Sequence, residues 1–157
     1  MQKISAGLLM FRKKDNDLEF LLGHPGGPFF KSKKDEGVWS IPKGERNDGE
    51  ELLDTAKREF EEETNIKPES EKFIPLGEVK YKNGKIVHAW GFEGDADIAK
   101  MKSNTFQMEW PPKSGQTQDF LELDKFEFLR LDEALIKIKP AQADFLTRLK
   151  NTIDSLD

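Results

Sequence analysis

The sequence predicts an α+β fold built on a mixed β-sheet. Three observations lead there. Leu8-Leu9-Met10-Phe11 and Phe20-Leu21-Leu22 are apolar clusters separated by a polar stretch, the pattern of two strands joined by a turn. Asn83-Gly84 lies between two apolar-rich segments, the strongest short hairpin signal a sequence offers. Helix-opening residues, Asp48 with Glu51 and later Pro140, interleave with these strand signals, so strands and helices share one chain without segregating into a repeat.

Taken in order, residues 3–12 and 18–24 read as strands around a polar turn, Lys13 to Asp17. His24-Pro25-Gly26-Gly27-Pro28 reads as a rigid loop. Val38 to Ile41 reads as a short strand stopped by Pro42, and Lys43 to Gly49 as a loop. Asp48 is the predicted N-cap of a helix over 49–64, with Glu51 completing a capping box. Residues 73–82 and 85–92 form the predicted hairpin. Residues 94–124, with Pro111-Pro112, carry little periodicity and read as a long loop. A last strand at 125–129, a helix at 131–138 and a final helix at 141–155 complete the chain.

With 157 residues, 12 Phe and 3 Trp, the chain is long enough for one domain with a real core. It has no cysteine and two histidines, His24 and His88. That excludes disulfides, thiolate zinc sites and cysteine nucleophiles. Any metal must be held by oxygen, which selects a hard cation such as Mg²⁺ or Mn²⁺. No apolar run approaches the ~18 residues of a membrane helix, and the first residues lack a signal-peptide pattern; the expected location is the cytoplasm. A net charge of −5 argues against a duplex nucleic-acid face. Residues 50–63 alone hold seven acids and two bases, so the excess charge is local.

On a helical wheel at about 100° per residue, Glu59, Glu62 and Glu63 fall within an arc of about 100° beside an apolar stripe of Leu52, Leu53, Ala56 and Phe60. Glu50, Asp54, Lys57 and Glu61 fall on the far side, a solvated face. Acids at i, i+3 and i+4 repel. Arg58 reaches Glu62, and Asp54 on the other side, which neutralises one charge. A divalent cation is the natural remainder. In front of the helix, Pro42-Lys43-Gly44-Glu45 supplies a mobile cation for phosphate and a glycine that permits close approach.

Gly44, Glu50 and the run Arg58-Glu59-Phe60-Glu61-Glu62-Glu63-Thr64-Asn65-Ile66 resemble the Nudix box, G-x5-E-x7-R-E-U-x-E-E-x-G-U, over residues 44–66. One position departs: Asn65 stands where the family has glycine. Asn tolerates the left-handed conformation that ends a helix, so the departure bears on the loop and not on the chemistry. Ser5-Ala6-Gly7-Leu8-Leu9, His24-Pro25-Gly26-Gly27-Pro28 and Ser103-Asn104-Thr105-Phe106 are similar to a bacterial subgroup described as predicted nucleotide pyrophosphohydrolases.

The resemblance implies a single Nudix domain over 1–157, a mixed sheet sandwiched between helices, and a hydrolase that cleaves a phosphoanhydride bond in a nucleoside diphosphate linked to another group. It implies Glu59, Glu62 and Glu63 as metal-ligand carboxylates, with the Gly44 carbonyl as a further ligand. Arg58 orients them, with Glu50 as a partner, and Lys43 contacts phosphate. The general base is one of the helix glutamates or a loop acid; among Glu93, Glu109, Asp119, Glu122 and Glu127, Glu122 is favoured because it follows the long segment. A base-stacking ring is sought among Trp39, Tyr81, Trp90, Phe92 and Trp110. Trp110 and Tyr81 are the candidates, since Trp39 and Trp90 lie in strands. A tyrosine placed like Tyr81 is associated in the family with dinucleoside polyphosphate hydrolases, so the expected substrate is a dinucleoside polyphosphate or nucleoside triphosphate. An ADP-ribose-type hydrolase, a non-catalytic nucleotide sensor and a purely structural acidic helix are the alternatives.

Overall fold

The computed structural model describes residues 3–30 and 35–156. Strands β1 (Ile4–Lys14) and β2 (Asp17–Pro25) pair antiparallel, with Phe11 opposite Phe20. Asp15 and Asn16 both take positive φ in the turn between them, the geometry that matches strand twist in a tight hairpin. β4 (Ile74–Lys80) and β5 (Ile86–Glu93) flank the Asn83-Gly84 turn as expected. With β8 (Leu123–Arg130) the sheet order is β4-β5-β1-β2-β8. β1 and β5 run parallel while β4–β5, β1–β2 and β2–β8 run antiparallel, so the sheet is mixed.

Both faces of β1 are buried, which sandwiches the sheet. One face carries Ala6, Leu8, Met10, Leu21 and Phe92, and is covered by Ala56 and Phe60 of α1 (Leu52–Thr64). The other carries Leu9, Phe11, Phe20, Leu22, Val87 and Ala89. It is covered by Trp39, Ile41 and the buried stripe Phe145, Leu146, Leu149, Ile153 of α3 (Ala143–Leu156), with Ala134 of α2 (Leu131–Lys137). Phe60 is fully buried, and burial of such a side chain contributes roughly 1.5–3 kcal/mol. That anchors the charged helix to the sheet. Among the described residues no helix is long and apolar enough to cross a membrane.

Several expectations are corrected. Lys43–Glu45 is a strand, β3, paired with β1; three residues are too short to show alternation. Val38–Ile41 forms isolated bridges, Gly23 with Ser40 and Trp39 with Ile138, in place of a strand. Helix α1 begins at Leu52 with Glu51 at its N-cap and no side-chain cap bond. Asp48 does not cap it; instead Glu50 accepts the Asn47 N–H at 3.1 Å. Within 94–124 stand two strands, β6 (Thr105–Glu109) and β7 (Thr117–Leu121), in a hairpin of their own. Its alternation of polar residues with Phe106, Met108 and Phe120 was the available signal. It is weak because most of the hairpin's residues are exposed and it buries little.

Candidate active site

Strand β3 carries the first parts of the site. Gly7 faces Lys43, Ala6 faces Gly44 and Ser5 faces Glu45. A side chain on Gly7 would come within 2.6 Å of the Lys43 Cβ, so glycine lets β3 lie close. Alternation then turns Gly44 towards α1 and Lys43 and Glu45 to the opposite face. A Cβ on Gly44 would overlap the Glu59 carboxylate. Glycine is thus required where the strand meets the acidic helix.

Arg58 is the hub of that helix. Its Nε and Nη2 donate to the two oxygens of Glu50, at 2.9 and 3.0 Å. Nη1 donates to Glu59 at 2.9 Å and to Glu62 at 3.3 Å, and Nη2 also reaches the Glu45 carbonyl at 3.1 Å. The Glu62 pairing agrees with the wheel. The partner on the other side is Glu50 and not Asp54, because Glu50 lies in the loop ahead of the helix, away from the solvated face. The Arg58 fork, joined by the Thr55 hydroxyl at 2.8 Å, holds the Glu50 carboxyl down at about 2. Glu50 in turn keeps the guanidinium charged.

The remaining carboxylates crowd together. Glu63 is only 7% exposed, and one of its oxygens accepts the Lys43 N–H at 3.2 Å. Burial first, then the nearby Glu59, push Glu63 up to about 8. Burial and Glu62 raise Glu59. Glu122, on the turn between β7 and β8, is raised by burial and lies near enough to act on both Glu59 and Glu63. Its backbone N–H bonds the Asn104 carbonyl and the Asn104 N–H bonds the Glu62 carbonyl, each at 2.9 Å. The base of the β6–β7 hairpin is thereby fastened to the end of α1. Of the five loop acids considered, Glu122 is the one found acting on these glutamates. Glu109 accepts the Lys113 N–H at the hairpin tip and Glu127 pairs with Lys137.

A set of carboxylate donors in which burial and repulsion disfavour the charge on Glu59 and Glu63, burial disfavours it on Glu122, and Glu62 stands at the exposed edge is suited to a hard divalent cation. Among the described residues no three acidic or histidine side chains converge on one point as they stand. Arg58 draws Glu59 and Glu62 to itself while the Lys43 amide holds Glu63. These bonds are exchangeable, and the chemistry of the set fits Mg²⁺ or Mn²⁺. At the helix end Asn65 takes φ 62°, and its N–H bonds the Glu61 carbonyl at 2.8 Å. The left-handed cap expected at this position is present.

Neither aromatic candidate bonds a carboxylate of this cluster among the described residues. The Tyr81 ring is half-buried against the core that contains Trp39 and Ile41, and its hydroxyl accepts from Gln142 Nε2 at 2.7 Å. Trp110 lies at the far end of the β6–β7 hairpin, edge-on to Phe29 with ring centroids 5.7 Å apart. At the ~3.4 Å rise of an antiparallel strand, six residues put it roughly 20 Å along the hairpin from Asn104. Trp39 is core, 1% exposed, whereas Trp90 is half-buried against the Phe60 cluster. Sequence reasoning passed over Gln142. It is fully buried and both ends of its amide are bonded: Oε1 accepts the Ile41 N–H and Nε2 donates to Ser40 and Tyr81. It braces the segment leading into Lys43 and Gly44. A glutamine just after Pro140 carries no local signal of this.

A family model described as NUDIX domain matches residues 1–149. The chain is 30% identical over 114 residues to Nudix hydrolase 7 of Arabidopsis thaliana, a match that takes in 69% of this chain and 39% of that protein. It thus spans about two fifths of the length of the curated relative it matches. Among solved structures it is similar to an Ap4A hydrolase of C. elegans in a binary complex, at TM-score 0.66 and 21% identity over 98% of both chains. It is similar to the NUDIX domain of Shewanella oneidensis NrtR complexed with ADP ribose, at TM-score 0.65 and 16% identity over 100% of this chain and 90% of that one. A MutT protein from Methanosarcina mazei Go1 aligns at TM-score 0.61 and 23% identity over 96% and 94%. At these identities the structural likeness is one of fold.

Proposed function

The chain belongs to the Nudix family, and from that premise we propose that it is a pyrophosphohydrolase dependent on Mg²⁺ or Mn²⁺. Its substrate is a nucleoside diphosphate linked to another group, with dinucleoside polyphosphates or nucleoside triphosphates favoured. The observation that carries this reading is Glu59 set against Gly44, with Glu62, Glu63 and Glu122 near enough to interact with it and Arg58 binding Glu59 and Glu62.

Glu59, Glu62, Glu63 and the Gly44 carbonyl hold the cation in this reading. When bound, the cation neutralises phosphate charge and acidifies a water. Arg58 fixes Glu59 and Glu62 against Glu50, so the carboxylates keep their orientation. Lys43 meets a phosphate oxygen with its ammonium group. Glu122 takes the proton of the attacking water; burial raises its proton affinity, which suits a base working near neutral pH.

The test is a nucleotide panel incubated with the full chain and Mg²⁺ or Mn²⁺, with products separated by chromatography. Release of a nucleotide product, lost on chelation and in Glu62→Gln, is expected. Nucleotide binding without turnover under any divalent cation would make the protein a sensor and overturn the hydrolase.

A further inference from the structure

On the face of β3 that points away from α1, three lysines from distant parts of the chain come together. Lys43 lies opposite Gly7 on one side of β1. Lys85 immediately precedes Ile86, which pairs with Ile4 on the other side of β1. Between them that face of β1 presents Gly7 and Ser5, and Ser5 is fully buried with no hydrogen-bond partner for its hydroxyl. Lys139 follows α2, and its N–H bonds the Trp39 carbonyl at 2.8 Å.

A chain of hydrogen bonds fixes the three relative to one another. The Gln142 N–H bonds the Lys139 carbonyl at 2.8 Å, Gln142 Nε2 bonds the Tyr81 hydroxyl at 2.7 Å, and the Tyr81 N–H bonds the Lys85 carbonyl at 2.8 Å. Gln142 also holds Ser40 and Ile41, just ahead of Lys43. None of the three ammonium groups forms an ion pair with a carboxylate among the described residues. Lys43 feels Glu63 and Glu122, and Lys85 feels Glu45, which itself pairs with Lys3 at 3.7 Å. Among the described residues, Lys139 has Lys43 and Lys85 as its charged neighbours. Burial and this mutual repulsion lower the proton affinity of Lys85 and Lys139. Three half-buried cations held together against repulsion call for an anion, as the carboxylates across β3 call for a cation.

We infer that Lys43, Lys85 and Lys139 form a phosphate subsite that takes a phosphate beyond the diphosphate held at the carboxylate cluster. The preferred substrates are therefore chains of three or more phosphates. The inference rests on the hydrolase reading for its substrate class, but the subsite itself is independent of turnover. Tyr81 acts here as a positioning residue, through its bonds to Gln142 and Lys85, and its ring does not stack on a base. Ammonium groups pair with phosphate oxygens by charge-assisted hydrogen bonds, so each lysine adds about tenfold or more in affinity.

Titration calorimetry with Mg²⁺ and the methylene-bridged analogues of pyrophosphate and tripolyphosphate, which cannot be hydrolysed, keeps the cation at the carboxylates and separates the subsite from the reaction. The wild-type chain is expected to bind the tripolyphosphate analogue about tenfold or more tighter than the pyrophosphate analogue. Lys85→Met and Lys139→Met keep the aliphatic stem, and each loses about tenfold or more for the tripolyphosphate analogue while the pyrophosphate analogue changes little. Lys82→Met, an exposed lysine of the same turn, leaves both unchanged. Equal affinity for the two anions, or an equal loss in Lys82→Met, would overturn the subsite and leave only general electrostatic attraction. If the chain hydrolyses nucleotides, Lys139→Met raises KM for a nucleoside triphosphate and not for a sugar-linked diphosphate. A chain that hydrolyses nothing but shows the calorimetric pattern keeps the subsite and loses the hydrolase.

Discussion

Replacing Arg58 by Lys should unfasten the helix while keeping its charge. The guanidinium makes a two-pronged contact with Glu50 and further bonds to Glu59, Glu62 and the Glu45 carbonyl. A lysine has three donors on one atom and cannot span these partners. The Glu50 carboxyl is held at about 2 against 4.5 when unfolded, with Arg58 as the leading cause; with solvent screening at this rim position the contribution to stability at neutral pH is about 1–2 kcal/mol. Thr55 and the Asn47 N–H remain on Glu50 in the variant, so a loss of about 1 kcal/mol is expected, or about 2–4 °C in Tm for a chain of this size. The sign with pH follows. A depressed carboxyl stabilises above its unfolded value of 4.5, and that contribution is lost as pH falls towards about 2. Thermal and urea denaturation of both proteins should therefore show the full gap at pH 7, closing between about pH 4.5 and 2. Equal stability at pH 7, or a gap that persists in acid, would refute the assignment of the stabilisation to the Arg58–Glu50 pair.

Glu62→Gln should remove most turnover at saturating Mg²⁺ with Tm unchanged or slightly raised, since the change relieves repulsion; near-normal kcat would remove Glu62 from the cation site. Gly44→Ala places a methyl group in the Glu59 carboxylate and should lower kcat at least tenfold, beyond any loss of folded protein seen by circular dichroism. Glu63→Gln, compared with wild type in EDTA, tests the buried carboxyl: the wild-type group is raised to about 8, so its folded form is favoured below the unfolded value and loses stability as pH rises through about 8. The variant should match wild type near pH 5 and exceed it in Tm near pH 9, and a gap of opposite sign would refute the burial argument. Asn65→Gly should leave kcat/KM unchanged and Tm within a few degrees, because Asn already occupies the left-handed cap and glycine trades strain for freedom in the unfolded chain; a large gain in activity would show that Asn65 deforms the site.

The parts of this protein legible from sequence alone are those set by short-range periodicity. Helical spacing puts Glu59, Glu62 and Glu63 on one side beside Leu52, Ala56 and Phe60 whatever the rest of the chain does, and Asn83-Gly84 and the positive φ at Asn65 follow from local backbone sterics. The apolar clusters at 8–11 and 20–22 mark buried strands for the same reason. Tertiary packing decided what lies between segments. Whether Glu50 joined the solvated face or Arg58 depended on where the helix began, which its docking on the sheet sets. Glu122 approached Glu59 and Glu63 because a hairpin with little core of its own is fastened by Asn104 to the end of α1. The same hairpin carried Trp110 away to meet Phe29. Lys43, Lys85 and Lys139 are ordinary surface residues in the sequence. They become a cluster because β1 passes between two of them and buried Gln142 ties the third to Tyr81. Local sequence encodes which way a side chain points along its own element, and only the packed sheet determines which distant side chains it meets there.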